Sequence, residues 1–191
     1  MRKVLIKRIT IFNLFQEVLD IFRIPIISNY FLSKFFRFFI KNVKFKYIGR
    51  FSKININNSS VIGDNIILGE YSIITSAKGG ELEIQDNIKI AKNVMISADF
   101  GGRIFIGNGT IIGPNTVIRS ANHLNTAGHY DSNEYISKDI YIGSNCWIAA
   151  NCVILGGTKL PDKCVVGALS VTNKEYKDAS LVCGTIATKK R

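Results

Sequence analysis

The chain has 191 residues, enough for one domain with a sizeable core and a small appendage. Its net charge of +11 comes from 25 Lys and Arg against 14 Asp and Glu, but no recognised nucleic-acid-binding motif accompanies that charge, which argues against a nucleic-acid partner. None of the four cysteines is paired at zinc-finger spacing, which argues against a metal centre or a disulfide framework.

The charge is unevenly placed. Residues 1–53 carry twelve Lys or Arg against Glu17 and Asp20, a net of +10, together with ten of the twelve Phe. Residues 54–191 are nearly neutral, at +1. The first 53 residues therefore read as a basic, aromatic segment in which 9–22 and 30–40 predict helices, interrupted at Ile24-Pro25. Arg23, Lys34 and Arg37 keep every uncharged run short of the ~18 residues that span a bilayer. No small-residue cleavage site ends an apolar run, so the expectation is a cytoplasmic protein without a removable signal peptide. Two compatible readings of the segment stay open. Its Phe residues can enter an anionic membrane surface at the inner face while Lys and Arg stay at the headgroups, or the segment can cap the first coil of the following domain and contribute a subunit contact.

From residue 54 the pattern changes. Ile62, Leu68 and Ile74 are followed by Ile84, Ile90 and Ile96, then Ile106, Ile112 and Ile118, then Ile142, Ile148, Ile154, Leu160 and Val166. Within each run the step is six, which fits neither the 3.6 of a helix face nor the 2 of a lone amphipathic strand, and predicts a repeating coil of short strands. Cys146, Cys152 and Cys164 each stand four residues after a rung, in a slot that takes small side chains, and read as packed thiols. The next rung position holds the polar Thr172, so the regular core is expected to end near it; Ile54 and Ile56 form a lead-in.

The interruptions locate a site. Steps of 10, 10 and 24 follow Ile74, Ile96 and Ile118, each a third rung. Three hexads therefore make one coil, and all three insertions emerge from one edge of a three-sided prism, stacked at the strand repeat of roughly 4.8 Å. The longest, residues 119–139, contains both histidines, His123 and His129. His129 lies in Gly128-His-Tyr-Asp-Ser132, which reads as a surface turn.

Residues 140–155, Ile-Tyr-Ile-Gly-Ser-Asn-Cys-Trp-Ile-Ala-Ala-Asn-Cys-Val-Ile-Leu, and residues 165–172, Val-Val-Gly-Ala-Leu-Ser-Val-Thr, resemble the hexapeptide-repeat acyltransferases, a likeness that covers roughly residues 54–191. The resemblance implies an all-β fold, a left-handed parallel β-helix over residues 54–176 with a tail at 177–191. It implies direct acyl transfer from acetyl-CoA, without a metal, and a homotrimer with shared sites. His123, in Arg119-Ser-Ala-Asn-His, matches the segment that carries the catalytic histidine. A base of near-neutral pKa suits removal of a hydroxyl proton as the oxygen attacks a thioester.

The same resemblance implies acceptor contacts at Asp99 and Asn122. Related sugar acetyltransferases place an asparagine near Asp99; an aspartate accepts hydrogen bonds from a sugar hydroxyl or attracts an amino group. For the cofactor it implies Trp147 near the pantetheine arm, Ala150 and Ala168 at small positions close to it, and Asn173, Lys174 and Arg191 towards the nucleotide. The tail departs from the family pattern at Thr185, Ile186 and Thr188. The expected function is O-acetylation of a sugar hydroxyl in a bacterial surface polysaccharide or its lipid-linked precursor. The alternatives are N-acetylation of an amino sugar and a non-catalytic β-helix scaffold.

Overall fold

A computed structural model describes residues 45–126, 129–178, 180–185 and 188–189. The helices expected over 9–22 and 30–40 lie outside the described residues. The described chain is a parallel β-solenoid of about five turns, with walls of eight, six and five strands. The wall strands are only two to five residues long. Within a turn the chain visits the eight-stranded wall, then the six-stranded wall, then the five-stranded wall, here called the first, second and third.

The expected rungs stack in register. The first wall aligns Ile48, Leu68, Ile90, Ile112, Ile148 and Val166. The second aligns Ile54, Ile74, Ile96, Ile118, Ile154 and Thr172. The third aligns Ile62, Ile84, Ile106, Ile142 and Leu160. All fourteen rungs from Ile62 to Val166 lie in the core, Ile62 being the most open at 8% exposure. Branched side chains stacked this way fill the interior of the coil, and their burial is the main favourable contribution to the fold.

Both ends of the solenoid extend beyond the expected limits. Phe45–Ile48 already pairs in parallel with Ile66–Leu68, and Phe45 is buried. Thr172 does not end the core, because its hydroxyl lies 3.0 Å from that of Thr158 in a buried hydrogen bond that removes the cost of a polar rung. Leu181–Cys183, in the stretch read as tail, then adds a parallel strand against Val165–Val166, and Thr188–Lys189 closes on it antiparallel.

The corners follow a second rule. Three residues after every rung of the first and third walls the backbone has a positive φ, and six of those positions are Asn65, Asn87, Asn93, Asn115, Asn145 and Asn151, at 56–60°. Asparagine enters the left-handed region at less cost than most residues. Its amide also links turns: Asn93 Nδ2 donates to Asn115 Oδ1 at 2.9 Å, and Asn115 Nδ2 to Asn151 Oδ1 at 3.1 Å. Gly113 occupies a small slot after its rung, where a Cβ would stand 2.6 Å from the Ala149 carbonyl carbon in the next turn.

Cys146, Cys152 and Cys164 are free, buried thiols, and Cys146 Sγ donates to the Pro161 carbonyl at 3.2 Å. Burial, with the neighbouring Cys146 thiol, pushes the Cys164 thiol from its ordinary 9.0 up to about 11. The folded state thus holds a proton that the unfolded chain releases first. The resulting stabilisation is complete below pH ~9 and is lost as the pH rises through about 11. Urea midpoints are therefore expected to fall from pH 8 to pH 10.5, and to fall less in Cys164→Ala; an unchanged slope in that variant would remove Cys164 from the effect.

Candidate active site

The insertions leave at the ends of Ile73–Ala77, Met95–Asp99 and Val117–Arg119 in the second wall and return at Glu81–Ile84, Arg103–Ile106 and Ile140–Ile142 in the third. They therefore stack along one edge. Gly102 permits this: a Cβ there would stand 2.7 Å from Ser120 Oγ of the next turn.

The longest insertion is a two-stranded antiparallel hairpin, Ala121–Thr126 against His129–Ser137. His129 lies in the second strand opposite Thr126, where a surface turn was expected. The neck of the hairpin is tied to the solenoid. Lys138 N–H donates to Ser120 O at 3.0 Å, Ser120 N–H to Ser97 O at 3.2 Å, and Asp99 N–H to Ser120 Oγ at 3.1 Å.

His123 pairs across the hairpin with Tyr135. The imidazole is half-buried with Nδ1 inside, and its centre lies 4.4 Å from the Tyr135 ring at a tilt of 37°. Tyr135 stacks on Phe100 of the insertion below, with ring centres 3.5 Å apart and planes within 14°. Lys78, from the insertion below that, places Nζ 4.3 Å from the Phe100 ring centre. Lys78, Phe100 and Tyr135 belong to no sequence motif that marks them as site residues. The available signal was positional: Lys78 and Phe100 stand at the same step, four residues after rungs Ile74 and Ile96.

The proposed acceptor residues flank this cluster. Asp99 is half-buried at the end of its strand, and its carboxylate accepts a hydrogen bond from the Ser97 hydroxyl. Asn122 is exposed on the hairpin opposite Ile136. Arg119, at the foot of the hairpin, buries Nε without a hydrogen-bond partner among the described residues. An open groove of about 440 Å³ runs from the same edge over the outer face of the third wall, past Arg103, Asp139, Phe105 and Tyr141.

The expected cofactor residues divide between two regions. Trp147 lies on the outer face of the first wall between Ile111 and Val165, 54% exposed, so it is not a core residue. Ala150 and Ala168 follow at the corner between the first and second walls, where Leu169 N–H donates to Ala150 O at 3.1 Å. Asn173 and Lys174 are exposed at the corner after the second wall, on the His123 edge. Arg191 lies outside the described residues. The second wall, five or six residues of extended chain or about 15–20 Å, separates the Ala150 corner from the His123 edge. One chain therefore does not bring His123 and Trp147 together.

No model of a known protein family matches this sequence, and no curated protein matches it. Among solved structures, a mutant of AntD, an N-acyltransferase from Bacillus cereus in complex with dTDP-4-amino-4,6-dideoxyglucose and coenzyme A, is similar with a TM-score of 0.67 at 15% identity, over 78% of this chain and 82% of that one. The hexapeptide-repeat-containing acetyltransferase VCA0836 of Vibrio cholerae O1 biovar eltor, complexed with acetyl coenzyme A, is similar with a TM-score of 0.51 at 22% identity, over 99% of this chain and 87% of that one. The chain shares the β-solenoid fold of these coenzyme-A-bound acyltransferases.

Proposed function

We propose that the protein is an acetyl-CoA-dependent O-acetyltransferase that modifies a sugar hydroxyl of a bacterial surface polysaccharide or of its lipid-linked precursor. The observation that carries the reading is the hairpin that completes a stack of three insertions and presents a half-buried histidine at the solenoid edge. In this reading the solenoid winds left-handed with three hexads per coil. The shared fold of AntD and VCA0836, both in complex with forms of coenzyme A, supports it.

The chain offers a surface that fits acetyl-CoA. An indole 54% exposed on a strand is costly in water and suits an apolar contact with the pantetheine arm. Ala150 and Ala168 carry side chains small enough for the backbone and the pantetheine amides to approach each other. Asn173, Lys174 and Arg191 serve the nucleotide end. The thioester supplies an activated acyl carbon. His123 takes the acceptor proton as the sugar oxygen bonds to that carbon; the C–S bond breaks, and the proton passes from the imidazolium to the departing thiolate. Asp99 and Asn122 orient the acceptor. Because His123 and Trp147 lie apart in one chain, the working unit is a homotrimer in which each site draws on two subunits.

The test is acetyl-CoA with a panel of free and lipid-linked glycans, read by thiol release and by product mass. Absence of acetylation on every glycan, with no thermal stabilisation by CoA, would leave the scaffold reading. A second reading has one observation behind it: the Asp99 carboxylate on the acceptor edge suits an amino group, so an amino sugar would be N-acetylated. Mild alkali separates the two, since an ester product is cleaved and an amide survives.

The basic N-terminal segment is assigned to the inner face of the membrane. Each basic residue near an anionic surface contributes about 1 kcal/mol, and salt screens it. Full-length protein is expected to bind anionic vesicles less strongly as salt rises. Deleting residues 1–44 should abolish that binding and leave CoA binding intact. A full-length protein that ignores vesicles, or a truncated one that loses its assembly, would make the segment a structural cap.

A further inference from the structure

Three insertions from three successive turns meet in one continuous stack. Lys78 Nζ stands 4.3 Å from the Phe100 ring centre, Phe100 stacks at 3.5 Å on Tyr135, and Tyr135 lies 4.4 Å from the His123 imidazole. We infer that Tyr135 is a positioning residue that sets the His123 imidazole for catalysis, and that Phe100 and Lys78 lock Tyr135 in place. The inference rests on His123 being the base.

An isolated two-stranded hairpin is marginal in water, so the direction of a side chain on it is set by what it packs against. Here the packing comes from the turn below, through Phe100, whose carbonyl also accepts a hydrogen bond from the Ser137 hydroxyl at 2.7 Å. Phe100 and Lys78 hold positive φ angles of 52° and 48°, a backbone cost that bulky residues rarely bear. The stack and the hydrogen bond offset it. The solenoid thus transmits its rigidity to the imidazole through aromatic contacts.

The chemistry gives the ring face a role. A tyrosine against one side of the imidazole restricts its rotation and leaves the edge of the ring to meet the acceptor. Accepting the proton turns the imidazole into a cation, and the electron-rich face of Tyr135 stabilises that cation. The ring face does this, whereas the phenol hydroxyl is not needed. Phenylalanine at position 135 should therefore serve, and an aliphatic residue of similar bulk should not.

The test uses full-length protein with Tyr135→Phe, Tyr135→Leu, Tyr135→Ala and His123→Ala. The first readout is the histidine ring-proton NMR spectrum, tractable because the chain has only two histidines. The resonance missing in His123→Ala is expected to lose its upfield ring-current shift in Tyr135→Leu and keep it in Tyr135→Phe. The second readout is thiol release from acetyl-CoA on the glycan panel. Tyr135→Leu is expected to lower kcat by about 10-fold to 100-fold at unchanged KM for acetyl-CoA, with Tyr135→Phe near wild type, as misplacement of a catalytic group predicts. Tyr135→Leu preserves apolar bulk and so keeps the test valid if Tyr135→Ala does not fold. Wild-type kcat in Tyr135→Leu beside an inactive His123→Ala overturns the positioning role and spares the base; an active His123→Ala overturns the base instead. An unshifted His123 resonance in wild type overturns the stack whatever the activity.

Discussion

His123→Ala is expected to lower acyl-transfer turnover by about 100-fold to 10,000-fold while CoA affinity changes little. The size follows from the step lost. Without a base, the acceptor hydroxyl must attack as a neutral group or give its proton to water, a loss of about 3–5 kcal/mol of transition-state stabilisation. The selectivity follows from the layout. His123 stands on the hairpin, whereas the indole assigned to the donor lies on the first wall, so removing the imidazole leaves that surface intact. Single-turnover thiol release beside equilibrium CoA binding measures both quantities. His129 pairs near the hairpin tip, away from the Tyr135 stack, and His129→Ala should be much milder. Equal losses in the two variants would mean that the base is assigned to the wrong residue.

Mixed assemblies of His123→Ala and Trp147→Ala chains are expected to recover activity that neither parent has. In a trimer, a shared site is intact when a chain bearing Trp147→Ala supplies His123 and its neighbour bearing His123→Ala supplies Trp147. Random equal mixing makes about one site in four of this kind, so recovery should approach one quarter of wild type. A site confined to one chain predicts no recovery, since every chain carries a defect. The measurement needs subunits exchanged through mild denaturant, with mixing verified by mass. Activity that stays at the parental level after verified exchange would return the whole site to a single subunit.

Much of this architecture was legible because a β-solenoid is a one-dimensional object. Each rung meets its equivalent one turn earlier and one turn later, so a spacing in sequence becomes a register in space. Ile96, for example, aligns with Ile74 and Ile118 as its spacing implies. The asparagine corners were equally available, three residues past the rungs, but a motif built on apolar residues does not reveal them. Thr172 escapes the apolar pattern for a related reason. Composition marks it as polar, and only the Thr158 hydroxyl beside it shows that the polarity is satisfied.

Spacing alone dictates the coil, the edge from which the insertions leave, and the presence of His123 on the longest of them. Those features depend on periodicity, which is local and repeats. Tertiary structure alone decided that this insertion is a hairpin, that Tyr135 faces His123 across it, and that Phe100 and Lys78 continue the contact downward. It also decided that Trp147 faces outward on a different wall from the edge that carries His123. Such contacts join residues from separate insertions, where chain length varies and no period constrains the partner, so only the folded arrangement of the loops selects them.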